Sequence, residues 1–388
     1  MSNTQTKNVP ELRFPGFESE YSLDIFGNLA TNKSDKFNPQ NENASIDIEL
    51  DCIEQNTGRL IKIYNSKEFS SQKNKFNPQN VLYGKLRPYL NKYYFTKKSG
   101  VCSSEIWVLK STKEDKLLNL FLYYFIQTKR YSDVASKSAG SKMPRADWGL
   151  IENIRVYFPE LCEQQKIGEF FSKLDRQIEL EEQKLELFQQ QKKGYMQKIF
   201  SQELRFKDES GNDYPDWEEK MIKDVYEITR GLVLSKKLIS KKTNDVNKYP
   251  VYSSQTTNNG LMGYYSNYLY KDSITWTTDG ANAGSVSYRS GKFYCTNVCG
   301  VLINEKGNSN LCMSEMLNRI AFKHVSKVGN PKLMNNVMAM VKLNFPCIEE
   351  QLKIARFIEA VEKNIVNQER KIDLLKQVKN GLLQKMFI

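Results

Sequence analysis

The sequence predicts an α+β fold in which two α/β globules are each followed by a long helix, the two helices pairing as a coiled coil in an internally repeated chain. Three observations carry this prediction. The run Phe158-Pro159-Glu-Leu-Cys-Glu163-Gln164-Gln-Lys166-Ile167 returns as Phe345-Pro346-Cys-Ile-Glu-Glu350-Gln351-Leu-Lys353-Ile354, an offset of 187. Apolar residues then recur in steps of three and four after each copy, the spacing of a helical seam. The segments before the two copies share an order of strand, amphipathic helix, basic loop and strand.

The repeat continues without a gap: Phe170 answers to Phe357, Ile178 to Ile365, Leu187 to Leu374, and Gln197-Lys198-Ile-Phe200 to Gln384-Lys385-Met-Phe387. A second echo follows the first copy, where Glu11-Leu12-Arg13-Phe14 returns as Glu203-Leu204-Arg205-Phe206. The chain therefore divides into a globule (1–158), a helix (159–205), a second globule (206–345) and a second helix (346–388). Seam positions are Ile167, Phe171, Leu174, Ile178, Leu185, Phe188, Tyr195 and Ile199 in the first helix. In the second they are Ile354, Ile358, Val361, Ile365, Ile372, Leu375, Leu382 and Met386. Glu181 and Lys192 interrupt one seam, Gln368 and Lys379 the other. At about 1.5 Å per residue each helix would be roughly 50 Å long. The stripe is narrow for a globular core, which favours helix pairing over packing on the neighbouring globule. Within the globules, Cys102-Ser-Ser-Glu-Ile-Trp-Val-Leu109 and Cys295-Thr-Asn-Val-Cys-Gly-Val-Leu302 read as strands. Helices over Leu117, Leu118, Phe121, Tyr124 and Phe125, and over Met313, Met316, Leu317, Ile320 and Ala321, follow them.

The 388 residues exceed what one core usually serves, and 40% hydrophobic with 12% aromatic residues marks a folded chain. The net charge of +12 points to an anionic partner, nucleic acid or an acidic membrane. No run approaches a membrane span and residues 1–14 lack the apolar stretch of a signal peptide, so a cytoplasmic protein without a membrane partner is expected. Seven scattered cysteines suit free thiols better than a disulfide framework. The globules hold nearly all the charge, +6 in residues 1–158 and +5 in 206–345, against −1 and +2 in the helices.

Residues 69–104 contain no acid but carry Lys73, Lys75, Lys85, Arg87, Lys92, Lys97 and Lys98 among tyrosines, the composition of a phosphate-binding surface. Residues 316–348 are likewise acid-free and include Lys327 and Lys332. Phosphate contacts give affinity and register without reading sequence; base edges demand planar donors and acceptors. Candidates are Arg87 and Asn91 at a turn, Lys142 and Arg145 in the loop after the first globule's amphipathic helix, and Trp276, Asp279, Asn282, Arg289 and Lys292 in the second globule. Tight turns and a core ring are the structural alternatives for the last group.

No catalytic residue emerges. Gly84-Lys85-Leu86 and Gly291-Lys292-Phe293 lack the spacing and hydroxyl of a phosphate-wrapping loop. The Asn-Pro pairs at Asn38, Asn77 and Asn330 lack the Pro-aromatic continuation of an amino methyltransferase. His324 is the lone histidine, and Cys295, Cys299 and Cys312 do not fit zinc spacing, so no metal is expected.

The duplicated Phe-Pro-x-x-x-Glu-Gln-x-x-Ile helix opening, the tandem layout and the Trp276-Thr-Thr-Asp279-Gly-Ala-Asn282-Ala-Gly284 run resemble the specificity subunits of type I restriction-modification systems. The resemblance implies two target recognition domains, each reading half of a split site on double-stranded DNA. It also implies an antiparallel pair of helices acting as a ruler, and a pseudo-twofold repeat. It further implies two modification (methyltransferase) subunits and restriction (translocase/nuclease) subunits as partners. Those would bring S-adenosylmethionine, ATP and Mg, with no cofactor in this chain. Glu163, Gln164, Glu350 and Gln351 are candidates for helix capping or for docking those partners. The competing reading is a coiled-coil scaffold for acidic proteins.

Overall fold

The computed structural model describes residues 8–43, 45–137, 143–254 and 257–388. They fall into two compact units, Met1–Gln183 with Glu369–Ile388, and Lys184–Gln368. The boundary cuts both long helices, so each unit holds one globule, half of its own helix and half of the other.

In the first unit the globule is closed at its root by Ser22–Ile25 running antiparallel to Arg155–Phe158, with Ser22 opposite Phe158. A four-stranded sheet orders Ala30–Thr31, Ile106–Ser111, Val81–Gly84 and Tyr93–Phe95. A five-stranded one orders Lys36–Phe37, Lys73–Phe76, Gly100–Cys102, Ile46–Ile48 and Tyr64–Asn65. Aromatic residues fill the space between sheet and helices: Phe26, Tyr83, Phe121, Phe125 and Tyr131 are buried together with Trp107. The first long helix, Leu161–Phe200, begins after Pro159, which cannot continue a strand ladder, and the Glu160 carbonyl accepts from the amides of Glu163 and Gln164. Its Ile167, Phe171, Leu174 and Ile178 enter the globule's core, joined by Leu383 and Met386 from the second long helix, Ile348–Met386, and by Phe387 just beyond its end. Phe121 and Phe387 lie 4.8 Å apart between centroids. Fully burying a residue of this size stabilises by about 1.5–3 kcal/mol. A side chain at Gly168 would strike Leu120 at 2.7 Å, so glycine permits this approach.

The second unit repeats the plan. Glu218–Met221 pairs antiparallel with Lys342–Phe345, Glu218 opposite Phe345. A six-stranded sheet orders Glu227–Arg230, Cys299–Ile303, Tyr270–Thr277, Val286–Cys295, Tyr249–Tyr252 and Leu261–Tyr265. Helix Leu311–Ala321 covers it, and Ile354 and Ile358 pack there with Met196 and Ile199. These four stand 187 residues from Ile167, Phe171, Leu383 and Met386 in sequence.

Within each unit the two helix segments are antiparallel. In the first, Asp175 pairs with Lys379 at 2.6 Å, Glu182 with Lys376 at 2.7 Å and Glu181 with Lys371 at 2.5 Å. In the second, Lys192 pairs with Glu362 at 2.7 Å. Lys379–Asp175 and Lys192–Glu362 are the same pair in the two repeats, so the polar residues that interrupt the seams answer one another. Helix pairing and globule packing both occur, on the same stripe: the seam is shared between the other helix and the core. Near the C-terminal ends the buried position moves by one residue, to Met196 and Leu383, leaving Tyr195 exposed and Leu382 half-buried. An α-helix drifts about 20° per heptad, and the globule takes up the drifted face.

Each expected central strand is two strands. Gly100–Cys102 turns through 103–105 into Ile106–Ser111, and Val286–Cys295 turns through 296–298 into Cys299–Ile303. The polar residues inside both runs, Ser103-Ser-Glu105 and Thr296-Asn297, satisfy a turn better than a buried strand. Among the described residues no helix is long and apolar enough to cross a membrane.

Candidate nucleic-acid interface

The repeated Glu-Gln pair and the repeated Leu-Arg-Phe arm meet at the root of each globule. Glu163 is buried and accepts two hydrogen bonds from Arg13, at 2.8 and 2.7 Å, and one from the Tyr21 hydroxyl at 3.3 Å. Glu350 is buried and accepts two from Arg205, at 3.2 and 2.8 Å, and one from Trp217 Nε1 at 2.9 Å. The carboxylate partner holds each guanidinium above its ordinary pKa. Phe14 stacks edge-on to Phe170 at 5.5 Å, and Phe206 meets Phe357 at 5.6 Å. Gln164 accepts from the amide of Leu118 at 2.9 Å and donates to the carbonyls of Lys116 and Pro159. Gln351 accepts from Asn310 and donates to Asn308 and the Pro346 carbonyl. Docking by Glu163, Gln164, Glu350 and Gln351 is therefore corrected: all four are buried and their polar atoms are spent inside the chain. Even the backbone repeats, since Leu12 N donates to Lys385 O at 2.9 Å and Leu204 N to Lys198 O at 3.0 Å.

At one end of the first globule's sheet, the turn after Val81–Gly84 receives the loop that precedes helix Trp148–Ile151. Leu86 and Arg145 form an isolated antiparallel bridge, Arg87 N donates to Pro144 O at 2.7 Å, and Ala146 N to Lys85 O at 2.8 Å. This brings Lys85, Arg87 and Arg145 together. Arg87 is exposed on a left-handed backbone (φ 54°) that starts the turn Pro88–Leu90, and Asn91 (φ 46°) ends it, donating to Asn56 Oδ1 at 3.0 Å. Arg145 is exposed and forked onto Glu105 at 2.9 and 3.2 Å, which holds the Glu105 carboxyl below its usual range. Lys92 donates to the Leu50 carbonyl at 2.5 Å, and Lys98 is exposed. Asn91 and Lys97 line a groove of about 1040 Å³ whose far wall carries Asp175, Glu179, Lys376 and Lys379. Lys142 lies outside the described residues.

Two lysines of the acid-free run are committed to carboxylates earlier in the chain. Lys73 is buried, ion-paired to Asp47 at 2.9 Å and to Glu49, and covered by Phe69, so it is removed from the phosphate surface. Burial opposes its charge, but the two carboxylates outweigh that and its pKa is raised. Lys75, half-exposed, pairs with Glu42 at 2.5 Å.

In the second globule the equivalent sheet end has the equivalent bridge. Asp279, two residues beyond strand Tyr270–Thr277, bridges Lys332, while Gly280 N donates to Pro331 O and Leu333 N to Thr278 O. Lys332 stands 3.9 Å from Asp279, and Lys327 is exposed on the same loop. Asn282 donates to the Ser254 carbonyl at 2.9 Å and stays half-buried. Three expected base or phosphate contacts fall away from this place. Trp276 is a core ring, 1% exposed, its Nε1 donating to Leu333 O. Arg289 is buried, donates to Thr275 and to the Asn259 carbonyl, and lies 3.9 Å over Tyr252; burial pulls its pKa below the ordinary value. Lys292 is exposed but sits opposite Lys271 near the other end of the hairpin, over the Tyr268 ring. Cys295 and Cys299 belong to one apolar cluster and Cys312 to another.

Tyr89, one of the tyrosines interleaved with the lysines of the basic run, is 58% exposed between Arg87 and Asn91; sequence reasoning did not single it out, nor Val328, 91% exposed beside Lys327. It also missed the lysine pairs of residues 231–248. An aromatic inside the turn it had singled out was the available signal for Tyr89.

Each unit is thus one copy of an α/β module, sealed at its root by an arginine-to-glutamate latch and ending in a basic loop bridged to a turn. The family model described as the type I restriction modification DNA specificity domain matches residues 19–189 and 214–377, once per module. The chain belongs to that family. The Mycoplasma pneumoniae type I specificity subunit S.MpnORF615P is 36% identical over 223 residues, 55% of this chain and 84% of that protein. S.MpnORF507P from the same organism is 38% identical over 161 residues, and the type I restriction enzyme MpnII specificity subunit 40% identical over 152. The chain spans 43% and 44% of the length of these last two. The crystal structure of the type I restriction-modification S subunit from M. genitalium aligns over 98% of this chain and 99% of its own, with TM-score 0.62 and 14% identity. A chain from a study of complex assembly and conformational transition of the type I R-M system aligns over 94% of this chain and 97% of its own. Its TM-score is 0.58 at 15% identity. At such identities these two speak for the fold alone.

Proposed function

We propose that this chain is the DNA-reading subunit of a cytoplasmic type I restriction-modification complex, with no chemistry of its own. Each globule reads one half of a split target on double-stranded DNA. Two modification subunits with S-adenosylmethionine methylate adenine there, and restriction subunits use ATP and Mg. The observation that carries this reading is the recurrence, in two globules of unlike sequence, of one arrangement at one sheet end. A loop joining two helices bridges the turn beyond a central strand and delivers a cation, Arg145 or Lys332, beside a carboxylate. Both ion pairs are solvent-exposed and so contribute little net stability, which lets the cation exchange its carboxylate for phosphate or for a guanine edge. In the first globule Arg87 and Asn91 add a fork and an amide on an exposed turn. The test is a graft: replacing residues 1–158 with the corresponding globule of a relative, then sequencing methylated adenines in cells that also carry the modification subunits. One half of the motif changes and the other stays; a change in both halves, or in neither, overturns the assignment.

A further inference from the structure

The densest unpaired positive charge in the second globule lies outside that site, in residues 231–248, where Lys236, Lys237, Lys241 and Lys242 are all exposed. Asp245 is the only acid of the segment, and among the described residues none of these four lysines makes an ion pair. The segment is nevertheless anchored. It leaves the sheet where Gly231 N donates to Cys299 O at 2.9 Å and Leu232 N to Cys295 O at 3.1 Å. A side chain on Gly231 would collide with the carbonyl oxygens of Cys295 and Thr296, so the exit requires glycine. It is pinned again at Ser240, which exchanges two backbone hydrogen bonds with Tyr264, at 2.9 and 2.8 Å. Between the anchors runs one helical turn, Lys236–Leu238. Leu232, Val233 and Leu238 are 55%, 78% and 51% exposed, beside the lysines rather than beneath them.

The position matters as much as the charge. The link 296–298 accepts hydrogen bonds from both sides: Thr278 N donates to Val298 O, and the Arg230 guanidinium donates to Asn297 O. The lysine segment and the Asp279–Asn282 loop therefore leave from the same end of one sheet.

We propose that residues 231–248 form a phosphate-gripping arm of the second globule, which supplies sequence-independent affinity while the neighbouring loops read bases. The proposal rests on the globule's being a DNA reader. Four lysines on an anchored loop suit consecutive backbone phosphates, and the exposed Leu232 and Val233 suit the apolar sugar edges of a groove wall. Each phosphate neutralised contributes about 0.9 to the slope of log affinity against log salt concentration.

The test uses the full chain assembled with its modification subunits. Anisotropy is read on a labelled duplex carrying the methylated motif and on a scrambled duplex, across a potassium chloride series. The variant combines Lys236→Ala, Lys237→Ala, Lys241→Ala and Lys242→Ala; a second combines the same positions as Lys→Arg. The alanine variant lowers the salt slope by about three to four on both duplexes. It leaves the ratio of the two affinities and the methylated motif as they were, and the arginine variant keeps the wild-type slope. An unchanged slope overturns the arm. A collapsed affinity ratio also overturns it by assigning the loop to base reading, and lost assembly does so by assigning it to a partner protein. Failure of the reader assignment looks different: the unaltered complex itself then shows no preference between the duplexes.

Discussion

Replacing Arg205 by alanine tests whether the buried carboxylate at the root is what locks connector to helix. Glu350 is fully buried and takes two of its three side-chain hydrogen bonds from Arg205; the third comes from Trp217. Without Arg205 the carboxylate keeps one partner, and breaking a buried pair in this way costs about 3–5 kcal/mol. The arginine side chain is 20% exposed, so water enters the vacated space and the lower end, about 3 kcal/mol, applies. Its bonds to the Tyr214 and Pro215 carbonyls, at 3.2 and 2.7 Å, are also lost, but those groups can turn to solvent. For a unit of this size about 1 kcal/mol moves the melting temperature by about 2–4 °C, which puts the expected fall at about 6–12 °C. Calorimetry on the Arg205→Ala, Arg205→Met and Glu350→Met chains and on the combined Arg205→Met, Glu350→Met chain provides the measurement. The combined variant should be less destabilised than the sum of its singles by about 2 kcal/mol, since it leaves no unpaired charge. Strict additivity would refute the reasoning and reduce the repeated arginine to a surface residue.

Arg87→Ala and Arg145→Ala should each weaken binding to the motif-bearing duplex by about 1–3 kcal/mol and relax only one half of the methylated motif. Arg289→Ala should lower the melting temperature and leave the motif intact, because that guanidinium is a buried strut; a changed motif would contradict its burial. Burial raises the carboxyl pKa of Glu315, with Glu362 adding to it and Lys192 opposing. The folded state therefore binds this proton more tightly, and stability falls as pH rises from the ordinary carboxylate range through the raised value. Glu315→Gln should flatten that slope in melting curves taken against pH, and an unchanged slope would place the titration elsewhere. Joining Ile388 to Asn8 by a short linker and reopening the chain between Gly211 and Asn212 should leave the melting temperature within a few degrees. The bond Leu12 N to Lys385 O already copies Leu204 N to Lys198 O.

The large plan was legible because repetition and period survive in one dimension. An offset of 187 located both helices, and the polar breaks at Lys192 and Lys379 marked where each helix meets an acid of the other. What stayed hidden was which cation of a basic run is already committed. Lys73 looks free among its neighbours, and its partners Asp47 and Glu49 come from a strand and turn some two dozen residues earlier. Arg289 reads as an exposed fork until the Asn259 carbonyl and the Tyr252 ring close over it. The lysine segment of the second globule is inconspicuous in the sequence because one aspartate, Asp245, breaks its basic run. Glu163 and Glu350 were recognised as special, but their partners lie in the Leu-Arg-Phe arms, whose repeat gave no sign of direction.

The core of the first unit is not local in time. Phe121 is made early in synthesis, yet the ring that covers it is Phe387, and Leu383 and Met386 fill the same place. At about 5–20 residues per second the gap amounts to tens of seconds on the ribosome. During that interval an aromatic surface meant for burial stands open while the second globule is still emerging. A nascent chain that stops before residues 369–388 exposes that surface permanently, which marks it for chaperones and proteases. Only a chain that has passed through both modules can seal its first one, and that makes folding itself a check that the two travel together.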